Sequence, residues 1–291
     1  MRTILTIFNA ISLPFKKYFF ALFLLLTLVA FQQVPSSIPT IKEPLTILDF
    51  YKITDSLLQK RDFWEADKIV TKAMYNAKKD GENALEAACL LTSGKIYQAT
   101  NQLNFTKAIQ DYQEAIQIFQ LEDTVIWQLA QSRLGLAESL FKQADSQIFT
   151  SINPNQGQAD RLKIDSLLQA LIDALGKAHP MQIDALFLKG MNQVHLLKIA
   201  AARATLQPIR ALQRRYPNYK KEYDYLLESN INLSKNKVRE AALYLEKAAL
   251  LLEHKAASDF GKQQLCRSYL RLSDAFAERD SMLLATECTQ R

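Results

Sequence analysis

The chain is predicted to be all-α, with helix-turn-helix repeats stacked side by side into an α-solenoid. Its 7 Gly and 8 Pro in 291 residues leave few of the tight turns that a sandwich or barrel needs. The apolar fraction of 48% and the charged fraction of 23% are those of a folded protein. A small residue is also followed by Ala at one constant interval in three places. These pairs are Thr54 and Ala66, Ser229 and Ala241, and Ser273 and Ala285.

The N-terminus differs from the rest of the chain. Lys16 and Lys17 precede an uncharged apolar run at residues 18–31, and a polar linker follows at 32–45. The run is shorter than the roughly 20 residues of a membrane span and suits the apolar region of a secretory signal. Residues 1–31 are therefore predicted to be a signal peptide or a retained membrane anchor. Either way the protein is expected to be exported, periplasmic or anchored at the cell envelope.

The repeat is first visible at residues 50–73. Apolar and small residues break phase around the polar group at 59–62 and then resume, which indicates two short packed helices instead of one. Five further copies follow the same pattern. They are Leu90, Ser93, Gly94 and Tyr97 with Ala108, Tyr112 and Ala115; Leu134 and Gly135; Leu186, Gly190 and Val194 with Ala204, Pro208 and Ala211; Tyr225, Ser229 and Asn232 with Ala241, Leu245 and Ala248; and Tyr269, Leu272, Ser273 and Phe276 with Ala285.

Small residues in this pattern have a packing role. At a helix crossing they let two backbones approach, while larger residues one turn away fill the space on either side. Gly94 and Ala108 are expected at such a crossing in copy two. The next copy would cover the apolar face that a single pair leaves exposed.

The pattern resembles the tetratricopeptide repeat, a helix-turn-helix unit, and in particular its bacterial extracytoplasmic members. The best matches are GKIY at 94–97, KAIQDYQEA at 107–115 and EADKIVTKA at 65–73. The resemblance covers about residues 46–289 and implies a right-handed α-solenoid of about six repeats. Copy three departs from it through an irregular insert near 144–163. This insert is either a long helix pair with a loop or a distinct insertion.

No catalytic motif is present in the sequence. His179, His195 and His254 lie far apart and outside any metal-binding spacing. The chain also lacks a P-loop, a dinucleotide-binding turn and a nucleophile elbow. We therefore expect no enzyme activity and no cofactor or metal, and an enzyme with a site in the 144–163 insert remains the alternative.

Net charge and cysteine content bear on two further properties, nucleic-acid binding and disulfide bonding. The formal net charge of +6 includes three basic residues before residue 31. The sequence has no stripe of Lys and Arg of the kind that binds nucleic acid, so we expect no nucleic-acid partner. Cys89, Cys266 and Cys288 are predicted to be structural thiols, with a Cys266–Cys288 disulfide as the alternative.

The family resemblance implies that the first helices line a concave groove that binds a peptide or protein segment. The chain is thus predicted to be a non-catalytic protein-binding scaffold. The alternatives are a structural subunit of an envelope assembly and a sensory or regulatory repeat region separated from its signalling module. The groove candidates are Tyr51, Asp55, Leu58, Leu91, Lys95, Gln98, Phe187, Met191, His195, Leu226, Asn230 and Leu233.

The C-terminus is predicted to end in a helix near 281–290. Its apolar residues exceed what one helix face can bury against a single neighbour. We therefore expect this helix either to support self-association or partner binding, or to fray.

Overall fold

A computed structural model describes residues 46–100, 105–122, 126–149, 154–176, 179–253 and 259–277. These residues form twelve helices and no strand. The helices are α1 (Ile47–Gln59), α2 (Phe63–Asp80), α3 (Asn83–Thr100), α4 (Thr106–Leu121), α5 (Ile126–Phe149), α6 (Pro154–Ala174), α7 (Met181–His195), α8 (Ile199–Ala204), α9 (Leu206–Arg215), α10 (Glu222–Leu233), α11 (Val238–Glu253) and α12 (Asp259–Ala277). The predictions for 1–31, 32–45, Ala285, Cys288 and 281–290 lie outside the described residues.

The predicted fold class is confirmed. Each helix packs mainly on its neighbours along the chain, so that pairs such as α3 with α4 and α10 with α11 stack into a helical-repeat solenoid. Within the described residues, five helix pairs precede α12, which is the first helix of copy six. Each pair covers the apolar face of the one before it.

The phase break in copy one marks the end of one helix and the start of the next. The backbone turns through Arg61, whose φ is 60°. Asp62 then caps α2, because its side chain accepts a hydrogen bond from the backbone N–H of Glu65 at 3.3 Å. The helix ends at Gly81, whose φ of 73° is a conformation that glycine adopts without strain.

In the two pairs that the structure describes in full, the constant interval between a small residue and an Ala marks a helix crossing. Thr54 and Ala66 are both fully buried between α1 and α2. In copy five the Ser229 hydroxyl donates to the backbone carbonyl of Ala241 at 2.9 Å, which links α10 directly to α11. Small side chains at these points allow the two backbones to come this close.

The predicted register of the second helix in copy four is wrong. Ala204, Pro208 and Ala211 are exposed, and the buried face carries Ala202, Leu206, Ile209 and Leu212. Gly190 and Ala202 have the same separation as Thr54 and Ala66. The alanine-rich segment 200–204 offers two registers, and only this one turns the large aliphatic side chains inward. The second helix is also split into α8 and α9 at Thr205, since Pro208 has no N–H to donate to the carbonyl of Ala204.

Copy three is a long helix pair. Residues 144–149 belong to α5, and residues 154–163 form the first half of α6. The described residues of the predicted insert thus lie at the end of one helix and the start of the next. Helix α6 packs along α5 and then on α7, as a second helix of a repeat would.

Glycines lie where three helices meet. The Tyr112 ring of α4 lies between Gly94 of α3 and Gly135 of α5, and a Cβ at Gly94 would be 2.8 Å from the ring carbon Cε1. At Gly190 an added Cβ would be 2.6 Å from both Leu227 and Thr205. Ala108, the predicted partner of Gly94, is fully buried, but the atoms closest to Gly94 are those of Tyr112.

Gly94→Leu is expected to destabilise the protein by about 1 to 3 kcal/mol or more, because the buried Tyr112 ring has no space to move into. The matched control is Ala99→Leu, which adds the same side chain at an exposed position of the same helix. Urea unfolding of both variants measures the difference. Equal midpoints would refute the junction that Gly94, Tyr112 and Gly135 form.

Candidate functional site

A cleft lies inside the curve of the solenoid. Its volume is about 590 Å³, and it is bounded by the α1–α2 connection, α3, α5 and α12. These elements come from copies one, two, three and six, so the cleft depends on the array curving back on itself. We call it the interior cleft. Its lining residues are Arg61, Phe63, Lys95, Gln98, Ala99, Glu138, Lys142, Phe260, Lys262, Gln263, Cys266 and Arg267.

A chain of polar contacts forms the wall between α3 and α5. The Tyr112 hydroxyl donates to Gln98 Oε1 at 3.0 Å, and Gln98 Nε2 donates to Glu138 Oε2 at 3.1 Å. Lys95 donates to Gln131 Oε1 at 3.3 Å. Burial raises the pKa of Glu138 above its ordinary value and lowers that of Lys95. These contacts fix the side chains that face the cleft.

Phe260 anchors the start of α12 inside the curve. It is nearly buried, and its ring centroid lies 6.5 Å from Phe141 of α5 and 6.2 Å from Phe187 of α7. Both ring pairs are edge-to-face, a favoured aromatic arrangement. The Lys142 ammonium lies 5.6 Å from the centroid of the Phe260 ring. Helix α12 therefore closes the interior cleft through aromatic packing against copies three and four.

Asp145 is the centre of a charged cluster behind this aromatic contact. Its carboxylate accepts hydrogen bonds from Arg161 of α6 and from Arg267 of α12. Arg161 is almost fully buried and also donates to Asn192 Oδ1 at 3.3 Å. One carboxylate thus neutralises guanidinium groups from two helices that are distant in sequence.

Arg271 extends the cluster along α12. It lies one turn after Arg267 and donates to Asn230 Oδ1 at 2.8 Å, while Asn230 Nδ2 donates to Ser268 Oγ at 2.8 Å. Burial and the charge of Arg161 outweigh Asp145 and lower the pKa of Arg271. The pKa of Arg161 is likewise lowered by burial and by Arg267. The cluster thus contains more positive than negative charge.

His195 borders the same cluster. Its Nε2 atom lies 3.9 Å from Asp145, and its ring packs edge-to-face on Phe141 with the centroids 5.5 Å apart. Burial and the nearby Arg161, Arg271 and Arg267 hold the pKa of His195 well below its ordinary value. His195 is therefore neutral near pH 7.

Five of the twelve predicted groove residues are not accessible at the protein surface. Leu91, Phe187, Met191, Leu226 and Asn230 are buried within the protein. The Phe187 ring, for example, stacks on Tyr223 with a centroid distance of 4.0 Å. Leu91, Phe187, Met191 and Leu226 belong to the hydrophobic core that the packed helices form.

The other seven groove candidates are at least partly exposed, and a role for them in binding stays a prediction. Lys95 and Gln98 line the interior cleft. Asp55 lies at its edge, 3.8 Å from Lys95. His195 contacts the Asp145 cluster. The remaining three are Tyr51, Leu58 and Leu233.

The sequence reasoning missed the charged half of the interior cleft. The predicted groove residues come from copies one, two, four and five, whereas Glu138, Lys142, Lys262 and Arg267 of the cleft come from copies three and six. One signal was available in the sequence. Arg267 and Arg271 have the i,i+4 spacing that places two side chains on one helix face.

The two thiols within the described residues differ in solvent exposure. Cys89 is fully buried, and burial raises the pKa of its thiol to about 12. Cys266 is exposed on α12 and borders the interior cleft. The alternative disulfide stays untested, because Cys288 lies outside the described residues.

Two further cavities lie elsewhere on the solenoid. One, of about 780 Å³, is formed by α9, α10 and α11, where Lys247 and Leu250 line it. The other, of about 880 Å³, lies between α11 and α12. Both lie between neighbouring helices in the chain, whereas the interior cleft joins distant copies.

Neither a metal site nor a membrane-spanning helix is found in the described part of the chain. There, His, Cys, Asp and Glu side chains form no group that could hold a metal ion. Across the same residues, each helix is too short or too polar to span a bilayer. The apolar run at 18–31 is outside this range.

Comparison with known proteins supports the fold assignment. No family model and no curated protein matches the chain. The fold is similar to solved structures that include the "Crystal Structure of the Apo Form of RapI", with a TM-score of 0.57 and 11% identity over 84% of this chain and 95% of that one. At this identity the likeness shows the fold alone, a tetratricopeptide-like helical repeat.

The neutral state of His195 predicts a pH dependence. The pKa of His195 is lower in the folded protein than in the unfolded chain, so the unfolded chain takes up the proton first as the pH falls. The contribution of neutral His195 to stability is therefore present above about pH 6.5 and is lost as the pH falls below that value. The free energy of unfolding should therefore decrease more on acidification in the wild type than in His195→Gln. Urea titrations between about pH 7.5 and pH 5 measure this. A constant difference between the two proteins would contradict the assignment.

Proposed function

We propose that the chain is a non-catalytic, tetratricopeptide-type scaffold that binds a segment of a partner protein in the interior cleft. The observation that carries this proposal is the assembly of the cleft from three consecutive copies and from α12, which is distant from them in sequence. Polar and charged groups line it, and hydrogen bonds hold several of them in place. Such preformed concave sites are where proteins commonly bind ligands.

The proposal differs from the sequence expectation in where the partner binds. Four of the apolar residues predicted to line a groove along the first helices are buried, namely Leu91, Phe187, Met191 and Leu226. The interior cleft contains the accessible polar side chains instead, with Phe63 as a partly exposed apolar contact. Binding there would fix the position of α12 relative to α3 and α5.

Export to the cell envelope is a second part of the proposal. It rests on the two lysines and the apolar run at 18–31. A scaffold tethered or released there would present the interior cleft to envelope proteins. Protein with an intact Met1, recovered entirely from the cytosol, would contradict export and leave the binding proposal unaffected.

The binding proposal is tested by filling the interior cleft without changing its charge. Ala99→Trp places a large side chain at an exposed position in the cleft, and Leu250→Trp does the same in the cavity beside α11. Partners are captured by cross-linking in envelope extracts and identified by mass spectrometry.

Wild type and Leu250→Trp are expected to capture the same partner, and Ala99→Trp should lose it by about tenfold or more. Melting curves of both variants verify that each is folded. Capture that is equal in all three proteins, or lost only in Leu250→Trp, would reject the interior cleft as the binding site.

A further inference from the structure

The interior cleft has a strong excess of basic groups. Its described lining includes the basic side chains Arg61, Lys95, Lys142, Lys262 and Arg267 but the single acidic side chain Glu138. The whole chain, by contrast, has 36 basic and 30 acidic residues. The imbalance is therefore a property of this site.

The acids close to the cleft do not balance its positive charge. Glu138 accepts a hydrogen bond from Gln98 at 3.1 Å and already interacts with the charge of Lys142. Asp145 is shared by Arg161 and Arg267. Asp55 lies 3.8 Å from Lys95, with its side chain half exposed to solvent. Each of these carboxylates is thus already engaged or screened by water.

The arginines around Asp145 likewise outnumber the carboxylates near them. Arg271 donates to the neutral amide of Asn230. The Nε atom of Arg161 is buried and has no hydrogen-bond partner among the described residues. Three guanidinium groups therefore surround one carboxylate. Additional negative charge at the mouth of this cluster would relieve their mutual repulsion.

We propose that the interior cleft binds an acidic peptide segment, whose carboxylates pair with Lys95, Lys262 and Arg267. This inference rests on the proposed function and names the chemical class of its partner. Arginine and lysine in a partly desolvated cavity form stronger hydrogen bonds with carboxylates than the same groups do on an open surface. The apolar surface of Phe63 lies beside them for an aliphatic or aromatic residue of the peptide.

The shape of the site favours peptide over nucleic acid. The basic groups surround a cavity of about 590 Å³ instead of following a stripe along the surface. Of the two aromatic residues in its lining, Phe260 packs on Phe141 and Phe187, so its ring is not a free stacking platform for a base. Phe63 alone is partly exposed, and successive bases need more than one such ring. An extended peptide can enter such a cavity, whereas a duplex cannot.

The test uses the full chain in a mild non-ionic detergent and fluorescein-labelled peptides of about ten residues. One peptide alternates Glu with Ala and has blocked termini, and its match has Gln in place of Glu. A third has the Gln sequence with a free C-terminal carboxylate. Single-stranded oligothymidine of the same length is the fourth ligand. Fluorescence anisotropy gives each affinity.

The Glu peptide should bind at least about tenfold more tightly than its Gln match, and added salt should weaken it. Lys262→Glu and Lys95→Gln should each weaken this binding about fivefold or more. The matched control is Lys247→Glu on α11, outside the interior cleft, which should leave it unchanged. Bound Glu peptide should also slow alkylation of Cys266, measured in a Cys288→Ser background so that one thiol reports the cleft.

Selective binding by the free-carboxylate peptide would assign the site to a chain terminus, and binding by the Glu peptide to acidic side chains. Equal affinity for the Glu and both Gln peptides, tighter binding of oligothymidine, or loss of binding only in Lys247→Glu would overturn the proposal. If Ala99→Trp still abolishes partner capture in that case, the proposed function stands and only the acidic partner class fails.

Discussion

The shared carboxylate of Asp145 is the interaction on which the interior of this protein depends. Arg161 is 2% exposed, and a buried guanidinium without a carboxylate partner costs several kcal/mol. Asp145 meets that need from α5 and at the same time holds Arg267 of α12, which is 122 residues away in the chain. The ion pair of copy three is thus also the point at which copy six closes over the interior.

The packing of α12 over the interior determines which side chains stay accessible on the inner surface. Once Phe260 packs on Phe141 and Phe187, the apolar side chains of the middle repeats are covered. The surface that stays open is the one between α3, α5 and the start of α12, where Lys95, Glu138 and Lys262 lie. The inner surface therefore presents a short basic cleft.

The repeat could be predicted from the sequence because its causes are local. A small residue and an alanine at a fixed interval, such as Ser229 and Ala241, describe a contact within one helix pair. The same logic failed at Ala204, where neighbouring alanines offered two registers and only the later Ile209 distinguishes them. Local patterns thus define helix pairs well and the exact register within a helix less well.

The interior cleft could not be predicted in the same way. Its walls meet because small rotations between successive pairs add up over the array, and no short segment encodes that sum. Asp145 and Arg267 each look like an ordinary surface charge in sequence. A pairing between them needs the curvature of all the repeats that separate them.

The coupling between Asp145 and Arg267 is the most direct measure of this closure. A double-mutant cycle compares the free energy of unfolding of wild type, Asp145→Asn, Arg267→Gln and the double variant. Closure predicts a coupling energy of about 1 kcal/mol or more, since the two side chains contact each other in the folded protein. Additivity within about 0.3 kcal/mol would contradict it, because separated residues contribute independently.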